Sequence, residues 1–398
     1  MTMPATNPLL AGVTAPPVME ARRWLEEIPQ PDGLPLLNLA QAAPVDPPPE
    51  RLRAAMAASV AAPGAAHLYG AVLGDEALRA QIAADWSQAY RAEIGPDHVA
   101  VTAGCNQAFC AAMATLCAPG DAVLMPVPWY FNHKMWLDMC GVAAIPLACG
   151  PDLLPNLSTA RAQLTPRTRA LALVSPNNPT GVEYPAAFLD EAFELCRDTG
   201  LALVLDETYR DFHSAEGPPH GLFDRPDWTE SFVHLYSFSK VFRLTGHRTG
   251  ALIAGTDRLA QAEKFLDTVT ICPPRTGQVA ALAGLRELRP WVAGERAEIL
   301  ARGEAVRAVF AGLPGWRLRG AGAYFAWVEP PETLWPGTDG TDLARRLLAE
   351  RAVLTLPGAM FGPKEGDWGG ARALRIAYAN VDAVGIAELG LRLRDLPG

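Results

Sequence analysis

Short runs of apolar residues alternate along most of the chain with longer segments in which apolar positions recur every three or four residues. The longer segments predict helices over residues 105–117 and 186–198, the second closed by Gly200. The short runs predict buried strands over residues 99–103, 122–126, 169–174, 201–205, 234–237 and 250–254. Strands that alternate with helices favour an α/β fold, with a mostly parallel sheet covered on both faces.

The pattern of apolar and polar residues is different at the two ends of the chain. The first residues are rich in Pro and Ala and lead into Pro47-Pro48-Pro49, so we interpret residues 1–48 as an arm and connector that joins a small domain. After Pro273-Pro274 a helical pattern covers residues 278–310, and strand patterns follow at 324–328, 353–358 and 374–378. We therefore predict a large domain over residues 49–285 and a smaller α+β domain over residues 286–398.

Composition and charge limit the kinds of partner that the protein can be expected to have. Charged residues make up 19% of the 398 residues and apolar residues 49%, whereas a typical soluble domain has about 25% charged residues. This balance predicts extra buried surface, such as an oligomer interface. The net charge of −9 and the lack of a lysine cluster argue against a nucleic-acid partner.

Cysteine usage and hydropathy predict the compartment. The seven cysteines form an odd set without CxxC spacing, mostly among apolar neighbours, which predicts free thiols in a reducing compartment and no metal site. The N-terminus lacks a basic region followed by an apolar run, and no stretch approaches the roughly 18 apolar residues of a membrane span. We expect a cytoplasmic protein that is neither secreted nor embedded in a membrane.

Lys240 is the strongest candidate for chemistry. The remaining basic residues are arginines, apart from Lys134, Lys264 and Lys364. A lysine flanked by Ser, Phe and Val in such a chain favours an amine that serves as a nucleophile, as in Schiff-base chemistry. The alternative is a surface lysine that follows a strand by chance.

Polar residues follow two of the predicted strands, at the sheet edge where ligands of such folds bind. Gly104-Cys105-Asn106 opens a helix, so its backbone N–H groups are suited to an anion, although such a turn is as often an ordinary helix cap. Asp206 follows strand 201–205, where a carboxylate needs a cationic or hydrogen-bonding partner such as a protonated ring nitrogen. The alternative for Asp206 is a cap of the following turn.

Four motifs together resemble those of one enzyme family. In chain order they are Ser175-Pro176-Asn177-Asn178-Pro179-Thr180-Gly181, Asp206-Glu207-Thr208-Tyr209, Ser237-Phe238-Ser239-Lys240 with Arg248, and Leu374-Arg375-Ile376. Their order and spacing resemble those of the class I/II aminotransferases, pyridoxal-phosphate enzymes of fold type I in the aspartate aminotransferase superfamily. The resemblance runs from about Asn38 to Asn380 and implies a seven-stranded, mostly parallel sheet in the large domain.

The resemblance implies roles for the central residues of the site. Lys240 would hold pyridoxal 5′-phosphate through a Schiff base and move a proton between the substrate Cα and the cofactor C4′. Asp206 resembles the carboxylate that keeps the pyridine nitrogen protonated. His133 resembles a histidine that hydrogen-bonds this carboxylate in some relatives, with an ordinary partly buried histidine as the alternative. The implied catalytic residues are Lys240, Asp206 and Tyr209.

Contacts to the cofactor ring are implied in the same way. Asn178 and Tyr209 resemble the donors to the phenolic oxygen, although each alone could be a turn asparagine or a core tyrosine. Tyr130 resembles the aromatic residue that stacks on the ring face, with Trp129 as the next candidate.

The implied phosphate site joins Ser237, Arg248 and the helix start at Gly104. Cys105 and Asn106 belong to this helix start, where the family usually has Ser, Gly, Thr or Lys. Tyr69 resembles a tyrosine that reaches the phosphate from the partner subunit. This resemblance implies an obligate homodimer with composite sites.

Substrate contacts are implied for four residues. Arg375 resembles the arginine that binds the substrate α-carboxylate as a bidentate pair, with Asn178 and Tyr130 beside it. Ala42 stands where relatives often carry a glycine whose backbone meets that carboxylate. We interpret the nearby Arg372 as solvated.

Departures from the family pattern bear on phosphate and substrate. Ile271 stands where relatives often have a Ser or Thr that donates to the phosphate, and Thr270 is the alternative donor. Aspartate-specific members have an arginine just before this segment, whereas residues 265–270 include Asp267 and no arginine. We hypothesise a donor with an uncharged or cationic side chain. Arg275 either reaches a distal acid, such as that of 2-oxoglutarate, or faces solvent.

The resemblance implies a transaminase that moves an amino group from an L-amino acid to a 2-oxoacid in two half-reactions, through the pyridoxamine form of the cofactor. A lyase that performs β-elimination in the same site is the alternative. A ligand sensor fused to a DNA-binding region is a further alternative, which the short Pro-rich arm and the retained lysine argue against.

Overall fold

The computed structural model describes residues 5–365, 368–394 and 396. A two-residue strand, β1 (Leu37–Asn38), precedes a central sheet of seven strands. The strands of this sheet are β2 (Val99–Thr102), β3 (Ala122–Val127), β4 (Ala143–Ala148), β5 (Thr168–Val174), β6 (Ala202–Asp206), β7 (Phe232–Ser237) and β8 (Gly250–Ile253). Their order is β2-β8-β7-β6-β5-β3-β4, and β8 is antiparallel to both of its neighbours while the other pairs are parallel. The predicted α/β fold is confirmed.

Helices precede, connect and follow these strands. They are α1 (Pro8–Ala11), α2 (Pro17–Glu27), α3 (Glu50–Ala61), α4 (Glu76–Tyr90), α5 (Cys105–Leu116), α6 (Phe131–Met139), α7 (Leu157–Ala162), α8 (Ala186–Thr199), α9 (Trp228–Ser231), α10 (Phe238–Val241), α11 (Thr256–Thr270), α12 (Arg275–Glu287), α13 (Arg289–Ala311), α14 (Gly340–Arg351) and α15 (Ala383–Arg394). Within the described ranges, no helix combines the length and the apolar character needed to cross a membrane.

Alternate residues of the central strands enter two different hydrophobic cores. On β6, Leu203 and Leu205 belong to one core, while Ala202 and Val204 belong to the other. Because strand side chains alternate between the two faces, both faces of the sheet are buried. This double burial explains why the central strands are continuous apolar runs in the sequence.

A second, antiparallel sheet lies towards the C-terminus. Its strands are β9 (Arg317–Gly322), β10 (Phe325–Glu329), β12 (Leu356–Pro357) and β13 (Leu374–Ala377), in the order β12-β13-β10-β9. The short strand β11 (Val353–Leu354) pairs with β1 instead, in parallel. Trp24 and Leu37 of the N-terminal segment share a hydrophobic core with this sheet. The domain boundaries at 48/49 and 285/286 stay predictions.

Two predicted elements differ from the structure. The helical pattern over residues 278–310 forms two helices, α12 and α13, because Pro290 in the first turn of α13 has no N–H to continue the preceding helix. The single strand predicted over residues 353–358 is wrong as well, since β11 and β12 pair with different partners, β1 and β13.

Candidate active site

Two adjoining cavities lie at the carboxyl ends of β5, β6 and β7. The inner cavity measures about 160 Å³ and the outer one about 370 Å³, and Lys240, Asn178 and Arg248 line both. Most of the residues proposed from the sequence meet here: the inner cavity is lined by Cys105, Asn106, Tyr130, Asn178, Asp206, Tyr209, Ser237, Lys240 and Arg248, and the outer one also by Ala42 and Arg375.

Lys240 lies on α10, the single helical turn that follows β7. Its Nζ donates to the carbonyl of Ala42, 2.5 Å away, and lies 5.9 Å from the ring centroids of both Tyr209 and Tyr324. Burial, together with the positive charges of Arg375 and Arg248, lowers the pKa of Lys240 from 10.5 to about 8. A lysine with this pKa is partly neutral near pH 8, and its neutral amine is a nucleophile and a base.

The pKa of Lys240 predicts how the rate of its reaction with an aldehyde depends on pH. Only the neutral amine attacks, so the rate of reaction with pyridoxal phosphate is expected to rise with pH and to level off above about pH 8. Stopped-flow absorbance over a pH series measures this rate, with Lys240→Ala as the blank. A rate that still climbs steeply near about pH 10 would show that the amine keeps the pKa of an ordinary lysine.

Asp206 is the last residue of β6, and its side chain is buried with that of His133. His133 Nε2 lies 3.3 Å from Asp206 Oδ2, which is within the distance of an ion pair. The contact is not well enough aligned to be a hydrogen bond, and Nε2 has no hydrogen-bond partner among the described residues. The backbone N–H of Thr208 donates to Asp206 Oδ1 over 2.9 Å. Burial alone would raise the pKa of Asp206, but His133 and Thr208 outweigh it and hold this pKa below its usual value. The carboxylate therefore stays ionised at neutral pH.

Arg375, on β13, is almost completely buried, with 2% of its surface exposed. Its Nη1 donates to Asn178 Oδ1 over 2.9 Å, and its Nη2 donates to the carbonyl of Ala40. The guanidinium carbon lies 5.0 Å from the ring centroids of both Phe325 and Phe361. Burial lowers the pKa of Arg375 to about 10, so the group remains cationic at neutral pH. No carboxylate within the described ranges pairs with Arg375, and its charge is available to a ligand.

The start of α5 and Arg248 form one cradle. Gly104 has a φ of 86°, and a Cβ at this position would lie 2.2 Å from Arg248 Nη2, so only glycine permits this approach. Arg248 Nη1 donates to the carbonyl of Thr245 over 3.0 Å and to Ser239 Oγ over 3.4 Å. Ser237 caps α10 by accepting from the N–H of Ser239 over 3.2 Å. A guanidinium beside a helix N-terminus suits a phosphate.

Tyr130, and not Trp129, faces the inner cavity. Asn132 Nδ2 donates to the Tyr130 hydroxyl over 3.0 Å, and that hydroxyl lies 3.4 Å from Asn106 Oδ1. Burial raises the pKa of Tyr130 to about 12, so the phenol stays protonated. Trp129 is buried in the core of the large sheet instead.

A family model described as "Aminotransferase class I and II" matches residues 35–392. The chain belongs to this family. An aromatic aminotransferase of Arabidopsis thaliana is 29% identical in an alignment of 306 residues that covers 74% of this chain and 74% of that protein. An arginine–pyruvate transaminase of Pseudomonas aeruginosa is 30% identical over 300 residues, 74% of this chain and 75% of that protein.

The fold agrees with this assignment. The solved structure of the aspartate aminotransferase of Thermus thermophilus with maleate matches with a TM-score of 0.86 at 22% identity, over 98% of this chain and 99% of that one. This likeness confirms the predicted fold type I architecture. The family model and the names of the relatives confirm the predicted family and the prediction that the chain is a transaminase.

Other sequence-based expectations for this aminotransferase need correction or refinement. Arg372 is not solvated, because its guanidinium donates to the carbonyls of Thr338, Pro331 and Leu334 and closes a loop. Arg275 does not face solvent, because it pairs with Asp75, with 3.3 Å between Nη1 and Oδ1, and only 19% of its side chain is exposed. A contact between Arg275 and a distal acid of the substrate stays a prediction.

Three predicted contacts lie outside the two cavities. Tyr69 is 78% exposed and lies apart from the cavities of its own chain. Asp267 is exposed on α11. Thr270 accepts a hydrogen bond from Gln107, whose Oε1 accepts from the N–H of Ala103 over 2.6 Å. Through Gln107, Thr270 therefore stabilises the backbone at the start of α5.

Sequence reasoning assigned no role to three residues of the inner cavity, Val174, Thr208 and Ser239. Thr208 orients Asp206, and Ser239 contacts both Ser237 and Arg248. Thr208 and Ser239 lie inside the recognised motifs, so the signal was present, but their roles depend on contacts that the motifs alone do not show.

Proposed function

We propose that this aminotransferase binds pyridoxal 5′-phosphate in the inner cavity and transfers the amino group of an L-amino acid with an uncharged side chain to a 2-oxoacid. The observation that carries the proposal is that three groups line the two adjoining cavities: Lys240, which has a lowered pKa and lines both, the buried ionised Asp206 in the inner one, and the buried Arg375, which has no carboxylate partner among the described residues, in the outer one. When bound, the cofactor supplies an electrophilic carbon and an electron sink.

The donors around the inner cavity fit each polar group of this cofactor. Arg248, Ser237 and the N–H groups that open α5 would hold the phosphate, in the cradle that only glycine at position 104 permits. Asp206 would hold a proton on the ring nitrogen, because an ionised carboxylate in a buried site stabilises a cationic partner. Asn178 Nδ2 and the Tyr209 hydroxyl are the donors for the phenolic oxygen, and Tyr130 would cover one ring face.

Arg375 and Lys240 would act on the substrate. The cationic guanidinium of Arg375, which has no carboxylate partner among the described residues, binds the α-carboxylate and orients the Cα–H bond towards Lys240. The Nζ of Lys240, neutral in a large share of molecules near pH 8, takes the proton from Cα. The Ala42 carbonyl, which accepts from Nζ in this structure, holds the amine in the cavity before the cofactor binds.

The outer cavity suits an uncharged side chain. Its cations are Lys240, Arg248 and Arg375, all of which have other roles, and the remaining lining residues are neutral: Pro16, Val18, Gln41, Ala42, Ala43, Tyr130, Phe131, Asn132, Asn178, Tyr209, Ser239 and Thr245. No free arginine is available there, among the described residues, for a side-chain carboxylate. The names of the Arabidopsis and Pseudomonas relatives, aromatic and arginine–pyruvate, support a donor other than aspartate.

The residues that line the outer cavity predict which amino donor the enzyme prefers. We expect kcat/KM for the best of phenylalanine, leucine and methionine to exceed that for aspartate by at least about tenfold, because a carboxylate loses its hydration without gaining a cationic partner. Absorbance changes after adding each donor without an oxoacid measure the first half-reaction. Aspartate as the fastest donor would contradict the proposal. Ammonia release without an oxoacid would indicate the β-elimination alternative, which the names of the relatives do not favour.

We also propose a homodimer that works in the cytoplasm. The seven cysteines are free thiols, which suits a reducing compartment. Leu68 and Tyr69 expose 68% and 78% of their surfaces, and Val269 and Ile271 expose 58% and 41%. Such apolar exposure supports an interface between subunits, with Tyr69 reaching the phosphate site of the partner.

Hybrid dimers test whether Tyr69 crosses the interface. Tyr69→Phe is expected to weaken cofactor binding about tenfold, since a buried hydrogen bond to an anion is lost. A hybrid of one Tyr69→Phe chain and one Lys240→Ala chain contains one site with both native residues, and should bind one cofactor per dimer with native affinity. Equilibrium titration of doubly tagged hybrids measures this. Weak binding by the hybrid would show that Tyr69 serves its own chain, and native affinity in the Tyr69→Phe homodimer would show that it serves no site.

A further inference from the structure

Glu207 is a buried carboxylate that has no part in the chemistry proposed above. It directly follows Asp206 at the end of β6, and only 1% of its surface is exposed. Consecutive residues of a strand point to opposite faces of the sheet. Asp206 accordingly lines the inner cavity, whereas Glu207 contacts Tyr90, which belongs to the core on the other face. A buried carboxylate is costly unless it is paired, so its partners indicate its role.

Three side chains donate to the same oxygen of Glu207. Its Oε2 accepts from the Tyr90 hydroxyl, from His234 Nε2 over 2.8 Å and from His220 Nε2 over 3.2 Å. The N–H of Leu222 donates to His220 Nδ1 over 3.2 Å, so Nε2 is the nitrogen of this ring that donates to Glu207. Burial alone would raise the pKa of Glu207, but the two histidines outweigh it and hold this pKa well below its usual value. The ionised carboxylate therefore joins the end of β6 to α4, to β7 and to the loop that contains His220.

Arg210 anchors the chain three residues further on. Its backbone N–H donates to the carbonyl of Glu207 over 3.0 Å and closes a turn whose two central residues are Thr208 and Tyr209. Its guanidinium carbon lies 3.7 Å from the centroid of the Trp86 ring, which belongs to the same core as Tyr90. Both ends of the turn are thereby fixed on the face of the sheet away from the inner cavity, while Thr208 and Tyr209 line that cavity.

We propose that Glu207 is a positioning residue, which places the Tyr209 hydroxyl and the Asp206 carboxylate for their contacts with the cofactor through the turn over residues 207–210. The inference rests on the proposed function, because it concerns groups that would bind the cofactor. The Tyr209 ring packs against those of Tyr324 and Phe325, with centroids 5.3 and 5.2 Å apart. Ring packing defines the position of a hydroxyl less sharply than a hydrogen bond does. The position of the Tyr209 hydroxyl therefore depends on the turn that carries this residue.

Glu207→Gln tests the proposal in the enzyme loaded with pyridoxal phosphate, because the amide keeps the shape of the side chain but loses the charge that three donors share. In single turnovers we expect the maximal rate to fall at least about tenfold, while the donor concentration at half-maximal rate stays within about twofold, since Arg375 would bind the donor. Visible spectra without a donor, recorded over a pH series, give a readout that needs no turnover. Their pH midpoint should rise by at least about 0.5, because a weaker hydrogen bond from Tyr209 leaves more negative charge on the phenolic oxygen, and this charge favours a proton on the Lys240 nitrogen.

Asp121→Asn is the matched control, because Asp121 is a buried carboxylate at the opposite edge of the sheet, paired with Arg169 over 3.1 Å. It should change the maximal rate less than about twofold and leave the pH midpoint in place. If Glu207→Gln does not fold, Tyr90→Phe decides the matter: it removes one donor to Glu207, and should lower the rate about threefold and raise the midpoint.

Two results would overturn the proposal: a native rate and midpoint in the folded variant, or an equal change of both in Asp121→Asn, which would mean that lost stability is the cause. A wild type that takes up no pyridoxal phosphate would instead contradict the proposed function itself.

Discussion

Replacing Lys240 by alanine is expected to lower kcat for transamination at least about 10⁴-fold, as measured in single turnovers with a saturating amino donor. Lys240 is the only lysine among the residues that line the two cavities. The remaining cations there, Arg248 and Arg375, keep their protons at neutral pH and cannot accept one from Cα. Exchange of the donor Cα proton in deuterated water reports the step proposed for Lys240, and should slow by the same factor.

Two variants separate proton transfer from charge and from folding. Lys240→Arg keeps the positive charge but cannot release its proton, so it should be as slow as Lys240→Ala. Lys134→Ala is the matched control, because Lys134 Nζ is paired with Asp138 over 2.5 Å on α6, away from both cavities, and its kcat should stay within about twofold of native. Exchange in Lys240→Ala within about tenfold of the native rate would assign the base to another group.

Replacing Asp206 by asparagine is expected to reduce kcat/KM at least about 10²-fold. The buried carboxylate is held ionised by His133 and Thr208, and a neutral amide of the same shape could not stabilise a proton on the ring nitrogen of the proposed cofactor. The same substitution should slow Cα proton exchange while leaving the phosphate contacts, and hence most of the cofactor content, in place. Absorbance spectra and released cofactor measure that content.

Asp121→Asn is a control of matched burial. Asp206 and Asp121 are both 3% exposed, but Asp121 pairs with Arg169 over 3.1 Å at the start of β3. Losing this ion pair should lower stability and leave kcat within about twofold of native. Equal losses of activity in both variants would mean that Asp206 acts through folding alone.

The sequence predicted the strands with two buried faces far better than β4 and β9, two edge strands with exposed side chains. The strands β3, β5 and β6 are buried along nearly their whole length, so each forms an apolar run. The strands β4 and β9 end their sheets and leave most side chains partly or fully exposed. Their mixed composition lacks the signal of a buried strand, and the sequence predicted neither.

The sequence motifs predicted most of the residues that line the two cavities, but few of the contacts between them. Lys240, Asp206, Asn178 and Arg375 belong to motifs whose order is visible in the chain. The hydrogen bond from Arg375 to Asn178 joins residues 197 positions apart, and no periodicity reports such a contact. The same holds for Arg372, which the sequence placed in solvent and the fold placed against three carbonyls.

By itself, the sequence determined which segments are buried, the order of the motifs and the residue types able to perform the chemistry. These properties are local, because a side chain and its neighbours within one turn or one strand decide them. Only the tertiary structure decided that Tyr130 faces the cavity in place of Trp129, that the Ala42 carbonyl meets Lys240, and that Arg210 packs on the Trp86 ring. Such contacts join distant segments, and the packing of the whole chain sets them.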